Sequence, residues 1–383
     1  MPSTTSVVDT AGAFDRIARE ISACERVGVD IEGNGLFVYR ARICTVQLAW
    51  QGDDGIHAAV IDALAVDPRV LKPLLESARP IKVIHDIAYD ARMLHRAGVT
   101  LRQVHDTALT ATFLGRRSTG LSALLQSELG ISVDKGMQLS DWTRRPLDSE
   151  ALAYLSADVE HLLALDDRLW SEACAAGIDG EVTTETEHRL RSAAEPERVA
   201  SPAFVRIRGL ERLDDPGRAV LMRAAQAREQ LAQERDVPPF RVTSDAKLLA
   251  MAKSRPCTDE QVRALIGSDD GVVQAMLAAV REGVEAGKLD AQSEALLARP
   301  PFDRAAVDTR KRREKRLTSW REAEAKRRGV HEQVVLPGHC LRRLAEGDAL
   351  TEERIAALEG MGQARAARYA AALSALLRKD ASA

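Results

Sequence analysis

Apolar and polar residues alternate along Arg26-Val27-Gly28-Val29-Asp30-Ile31-Glu32, the period of a strand with one buried face. Residues two apart share a face, so Asp30 and Glu32 project together. Apolar runs at Ile43 to Trp50, Ala58 to Ile61 and Lys82 to His85 predict further strands, while Val70 to Ala78, Ala88 to Ala97 and Leu121 to Leu129 have helical spacing. These alternate up to about Ala175, which predicts an α/β domain. Asp90 falls where the Ile81-to-Ile84 run gives way to a helical pattern, at a strand-to-helix junction. Leu152 to Leu163 predicts a strong helix, and its spacing stacks Tyr154 and Asp158 on one face. After Asp148 the strand-like runs cease, and helices punctuated by proline and glycine follow.

The C-terminal half repeats itself. Sliding Ala227–Gly267 onto Trp320–Gly360 takes an offset of 93 residues without a gap, and puts Arg228 on Arg321, Glu229 on Glu322, Leu248 on Leu341, Thr258 on Thr351 and Gly267 on Gly360. Two copies of one small helical module follow. Thr258 and Thr351 each precede acidic residues and predict helix N-caps, the first with Gln261 at the capping-box position.

Composition changes this picture only locally. With 383 residues, 45% hydrophobic and 29% charged, the chain is long enough for two or three soluble domains. No apolar run approaches the roughly 18 to 20 residues of a membrane span, and Met1 to Thr10 lacks a secretory pattern; a cytoplasmic protein without membrane contact is expected. Cys24, Cys44, Cys174, Cys257 and Cys340 are odd in number and scattered, and read as buried, reduced thiols rather than a disulfide framework or zinc knuckle. A net charge of −3 hides a segment, Asp303 to Arg328, with eleven Lys/Arg against five acids. It reads as a phosphate-tracking arm or, equally, as a solvated linker and helix face. Asp303 to Arg316 fits either ordered helix or tether.

The chemistry lies in Asp30, Glu32, Asp90, Tyr154 and Asp158. Crowded carboxylates raise one another's pKa unless cations neutralise them, and a pair of Mg²⁺ or Mn²⁺ ions is the simplest neutraliser. These residues resemble the motifs of the RNase D family of DEDDy 3′→5′ exonucleases. The likeness extends over Val27 to Leu165. Val83-Ile84-His85-Asp86-Ile87-Ala88-Tyr89-Asp90 resembles the second motif, Val104-His105-Asp106-Thr107 the Asp-Thr that follows, and Val133-Asp134-Lys135 through Asp141-Trp142 to Arg145-Pro146-Leu147 the run before the third. Gly33 departs from the Thr or Phe of many relatives, and Asn34-Gly35 adds a turn-prone stretch. Both C-terminal copies resemble HRDC domains, the second more closely.

The resemblance implies an RNase H-like exonuclease domain, a mixed five-stranded sheet flanked by helices, over residues 1–195, then two small all-α HRDC domains at 212–292 and 310–383. It also implies two divalent metal ions: Asp30 bridging both, Glu32 and Asp158 on the ion carrying the attacking water, and Asp90 on the second. Tyr154 would orient or help deprotonate that water. A phenol near pKa 10 is a poor base at neutral pH, so the ions should carry most of the activation. Nucleoside 5′-monophosphates would leave the 3′ ends of RNA, tRNA precursors foremost, with a monomer the default state. The alternatives are a 3′→5′ exonuclease acting on DNA, or a catalytically idle RNA-binding protein using the HRDC pair. Among neighbours, His85 suggests a residue orienting the site, Asp106 an N-cap ahead of a substrate role, Gln47 a nucleotide or backbone contact, Lys135 a phosphate contact or surface charge, and Trp142 core.

Overall fold

The computed structural model describes residues 5–133, 136–137, 139–195, 201–267, 269–298, 303–347 and 351–378. The chain forms two compact units: Met1–Gly33, Ile43–Glu195 and Asp303–Ala383 make the first, and Asn34–Arg42 with Pro196–Phe302 the second.

In the first unit, β1 (Thr5–Val8), β2 (Arg26–Gly33), β3 (Ile43–Gly52), β4 (Gly55–Asp62), β5 (Ile81–Ile84) and β6 (Val104–Asp106) form one mixed sheet. Its order is β1-β4-β3-β2-β5-β6, with β2–β3–β4 antiparallel and the other pairs parallel. The expected five strands are therefore six. Thr5–Val8 joins β4 in parallel with mostly exposed residues, so it carries no alternating apolar signal. In β2, Val27, Val29 and Ile31 are buried on one face, each contributing about 1.5–3 kcal/mol of burial free energy. Gly28, Asp30 and Glu32 occupy the other.

Helices α1 (Ala11–Ser22), α2 (Ile87–Arg96), α3 (Thr107–Phe113), α4 (Ser149–Glu160), α5 (Leu162–Ala175) and α6 (Asp179–Ala194) accompany the sheet. The single helix expected over Leu152 to Leu163 breaks at His161, whose φ of −101° and ψ near 0 ends α4 and starts α5. Both halves then pack on the sheet: α4 covers β2, β3 and β4, and α5 covers β2 and β5.

The second unit contains α7 (Asp215–Glu234), α8 (Asp245–Ser254), α9 (Asp259–Ile266) and α10 (Asp270–Ala286). Helices α7 and α10 cross so closely that a Cβ on Gly283 would lie 2.4 Å from the Cα of Val220. The Asn34–Arg42 segment, between β2 and β3 in sequence, also belongs here. Tyr39 packs on the module's core, donates its hydroxyl to Glu229 at 2.5 Å, accepts from Gln233 at 2.8 Å, and gives its N–H to Asp236. Arg241 lies over the Phe37 ring.

The second helical copy, α11 (Arg304–Arg328), α12 (Gly338–Glu346) and α13 (Gly362–Arg378), is part of the first unit. The Asp303-to-Arg316 stretch is ordered helix, capped where Asp303 accepts the Ala306 N–H. Both threonine caps form: Thr258 and Thr351 accept from the N–H groups of Gln261 and Arg354. Gln261 returns a bond to the Cys257 N–H, one residue behind the box position. All five cysteines are free, but only Cys44 and Cys340 are buried, which corrects the expectation for Cys174 and Cys257, both exposed, and for half-buried Cys24. Among the described residues, no helix is long and apolar enough to cross a membrane.

Candidate metal centre

Asp30, Glu32 and Asp158 converge, with one carboxylate oxygen from each within 4.8 Å of the others. Close approach of helix to strand makes this possible. Gly28 lies on the face of β2 that carries Asp30 and Glu32, and a Cβ there would stand 3.2 Å from the Val159 carbonyl and 3.5 Å from Leu162. The absent side chain lets the end of α4 settle on the sheet and bring Asp158, one residue before Val159, to the two β2 acids. The β2–β3 register shifts just after Glu32, and such bulges commonly re-aim side chains beside active sites.

The electrostatics are those of carboxylates crowded together within the fold. Burial, and then the Asp158 charge, push Asp30 up to about 8. Burial followed by the charges of Asp30 and Asp158 takes Glu32 to about 8 as well. The buried Trp142 indole N–H opposes the Glu32 shift. Asp158 rises to about 6 through burial, against the stabilising Tyr154 hydroxyl. Burial and then the charges of Asp158, Glu32 and Asp30 raise the Tyr154 phenol well above its ordinary value. Trp142 is core, as expected, and stacks on Tyr154 with ring centroids 5.7 Å apart.

Asp90 stands in the first turn of α2, 5% exposed, outside the three-oxygen cluster. Burial, then the charges of Asp30 and Glu32, raise it well above the ordinary range, and its Oδ2 is buried with no hydrogen-bond partner. An orphaned buried carboxylate oxygen beside three more acids fits a hard cation, which takes oxygen ligands. The donor set thus suits Mg²⁺ or Mn²⁺.

The neighbouring residues are engaged within the fold. Gln47, opposite Asp30 in the ladder, is fully buried, donates its amide to Thr45 at 2.8 Å, and leaves Oε1 unpaired. His85 Nδ1 bonds with Thr107 Oγ1 at 2.9 Å, and burial holds its pKa down against the charges of Asp106 and Asp86. Asp106 is fully buried and caps α3 by accepting the Leu109 N–H. Lys135 lies outside the described residues. On α11, Arg313, Arg316, Arg321 and Arg328 donate to Gly347 O, Leu376 O, Leu336 O and the Tyr369 hydroxyl, while Arg304, Arg310, Lys311, Arg312, Lys315, Lys326 and Arg327 are exposed. Sequence reasoning overlooked Gly28, although a glycine two before Asp30 in a strand was a signal.

Comparisons with known proteins bear on the whole chain. A 3′–5′ exonuclease family model matches residues 5–173, and the HRDC domain model matches twice, at 218–298 and 310–377. Ribonuclease D of Nitrobacter hamburgensis is 30% identical, covering 73% of this chain and 74% of its own. That of Zymomonas mobilis is 32% identical over 68% of each. Among solved structures, Escherichia coli RNase D, an exoribonuclease involved in structured RNA processing, aligns with a TM-score of 0.68 over 98% of this chain and 99% of that one, at 22% identity. A Bifidobacterium adolescentis protein aligns with a TM-score of 0.71 over 97% of each, at 20% identity. With an exonuclease domain followed by two HRDC domains, and relatives of this likeness along most of its length, the chain belongs to the ribonuclease D family of 3′→5′ exoribonucleases.

Proposed function

We propose that Asp30, Glu32, Asp90 and Asp158 hold two divalent ions and that, with Tyr154, they form the site at which RNA is shortened from its 3′ end. The observation that carries this reading is the convergence of three carboxylates, two of which, Asp30 and Glu32, have other carboxylates as their strongest charged influence, next to the buried, unpartnered oxygen of Asp90. When bound, a pair of Mg²⁺ or Mn²⁺ ions stabilises the attacking and leaving oxygens of an in-line displacement. The chain's own residues do the rest. Asp30 and Glu32 offer acceptors from one strand face, and Asp158 from the helix pressed against it. Tyr154, whose hydroxyl bonds with Asp158, orients that carboxylate and orients or helps deprotonate the attacking water. Trp142 walls the phenol on one side.

Gln47, His85 and Asp106 support the site from behind, and Lys135 remains a candidate phosphate contact. The domains are taken as 1–195, 212–292 and 310–383. Structured RNA precursors are the substrates that the ribonuclease D relatives and the Escherichia coli enzyme of structured RNA processing support; we add tRNA 3′ ends and a cytoplasmic monomer as further parts of the same proposal. The test is nucleotide release from a 3′-labelled RNA and its DNA twin with Mg²⁺, Mn²⁺ or EDTA. Release of 5′-monophosphates from RNA, lost with EDTA and in Asp158→Asn, is the expected result. Preference for DNA, or binding without release from either strand, overturns it.

A further inference from the structure

Asp86 precedes α2 in the left-handed region, with φ 61° and ψ 73°, and its side chain does not cap the helix. Asp106 takes over that duty from another element. One of its oxygens accepts the Asp86 N–H at 3.0 Å and the Leu109 N–H at 3.1 Å; the other is approached by the Ile87 N–H at 3.4 Å and by Arg189 Nη1 at 3.3 Å. One buried carboxylate therefore binds the N-termini of both α2 and α3, and Arg189 is its cationic partner. Asp90 stands in the first turn of α2, so the point fixed by Asp106 sets where Asp90 projects.

Arg189 sits on α6, and the second HRDC domain holds that helix along its length. Arg365, fully buried, donates to Glu181 O and Val334 O. Arg368 pairs with Glu181 at 2.8 Å, His339 bonds with Glu185 at 3.0 Å, and the His188 and His339 rings stack 3.8 Å apart.

We propose that Arg189 is a positioning residue for Asp90: through Asp106 it fixes the start of α2, and the second HRDC domain steadies the helix that presents it. The inference rests on the metal-site reading above. Substitution of a group that hydrogen-bonds a metal ligand typically costs 10–100-fold in metal affinity or activity, and Arg189, which acts one step further away, is expected at the lower end. Arg189 is partly exposed, so its removal should leave the fold standing.

The test measures Mn²⁺ binding to the full-length, metal-free protein by electron paramagnetic resonance, with RNA affinity measured separately in EDTA. Arg189→Ala should weaken Mn²⁺ binding by about 10-fold, leave RNA affinity unchanged, and recover turnover at high Mn²⁺; Arg189→Lys should fall between. Unchanged Mn²⁺ binding with weakened RNA affinity would make Arg189 a substrate contact and overturn the proposal, as would no change in either. Asp90→Asn separates the two readings. If it fails to weaken Mn²⁺ binding, the ligand assignment is at fault; if it does weaken binding while Arg189→Ala does not, only the positioning role fails.

Discussion

The two HRDC copies share a sequence pattern and part company in what they are attached to. The first forms its own unit with residues 34–42, while the second is one compact body with the exonuclease domain. The difference resides in a few residues. Extended past Gly360, the repeat pairs Arg365 with Val272 at an offset of 93, or with Val273 if the starts of α13 and α10 are matched. Either way a buried arginine stands in one copy where the other has a buried valine. Val272 and Val273 contribute to their module's own core; Arg365 uses its donors on carbonyls of Gly360, Val334 and Glu181 and lies over the Phe113 ring of α3. His339, which meets α6, falls on Ala246. A repeated module thus becomes part of its neighbour by exchanging small apolar residues for polar ones at the contact.

The largest effect that could break this comparison comes from Arg365→Met. Removing the guanidinium strands several buried carbonyls, and the loss should be about 3–5 kcal/mol. In calorimetry it should appear in the unfolding transition that Mn²⁺ raises; a loss confined to a metal-insensitive transition would show that the second copy is not part of the catalytic unit. The matched pair Leu248→Ala and Leu341→Ala follows, each costing roughly 2–5 kcal/mol as a core truncation. Leu341→Ala should lower the metal-responsive transition and Leu248→Ala the other. Equal effects of both on one transition would erase the distinction.

The pH dependence sharpens it further. Asp30 and Glu32 rise from 3.8 and 4.5 to about 8 on folding without metal. The folded state then binds their protons more tightly than the unfolded chain. Their contribution is complete below the unfolded values and is lost as pH rises through about 8. A dication displaces these protons, so its stabilisation grows as they leave. The rise in Tm at saturating Mn²⁺ should be larger near pH 8.5 than near pH 6, in the catalytic unit's transition only. A pH-independent rise would contradict the raised values. The smallest effect belongs to Tyr39→Phe, which removes one hydroxyl between Glu229 and Gln233 and should cost about 1 kcal/mol in the other transition. A shift in the Mn²⁺-responsive transition instead would place the 34–42 segment with the wrong partner.

Legibility followed the range of the interactions. Asp30 and Glu32 were readable because a strand's period is local, and Tyr154 with Asp158 because a helix turn is. The repeat was readable because its two copies could be compared directly. Thr5–Val8 was not, since its exposed residues follow no pattern until β4 is beside them. Tyr39 gave no hint of Glu229 and Gln233, nearly 200 positions on. Arg189 and Arg365 look like ordinary surface residues of their helices until the groups they serve are in place. Asp106 was read as a cap, and it is one; the second helix it caps could not be seen from spacing alone.

The inclusion of residues 303–378 in the catalytic unit has a consequence during synthesis. Domains generally fold from the N-terminus as the chain emerges, yet α6 lacks the cover of Arg365 and His339 until α13 has been translated. Until then the nascent exonuclease domain waits for a cover that lies far downstream of its own helices.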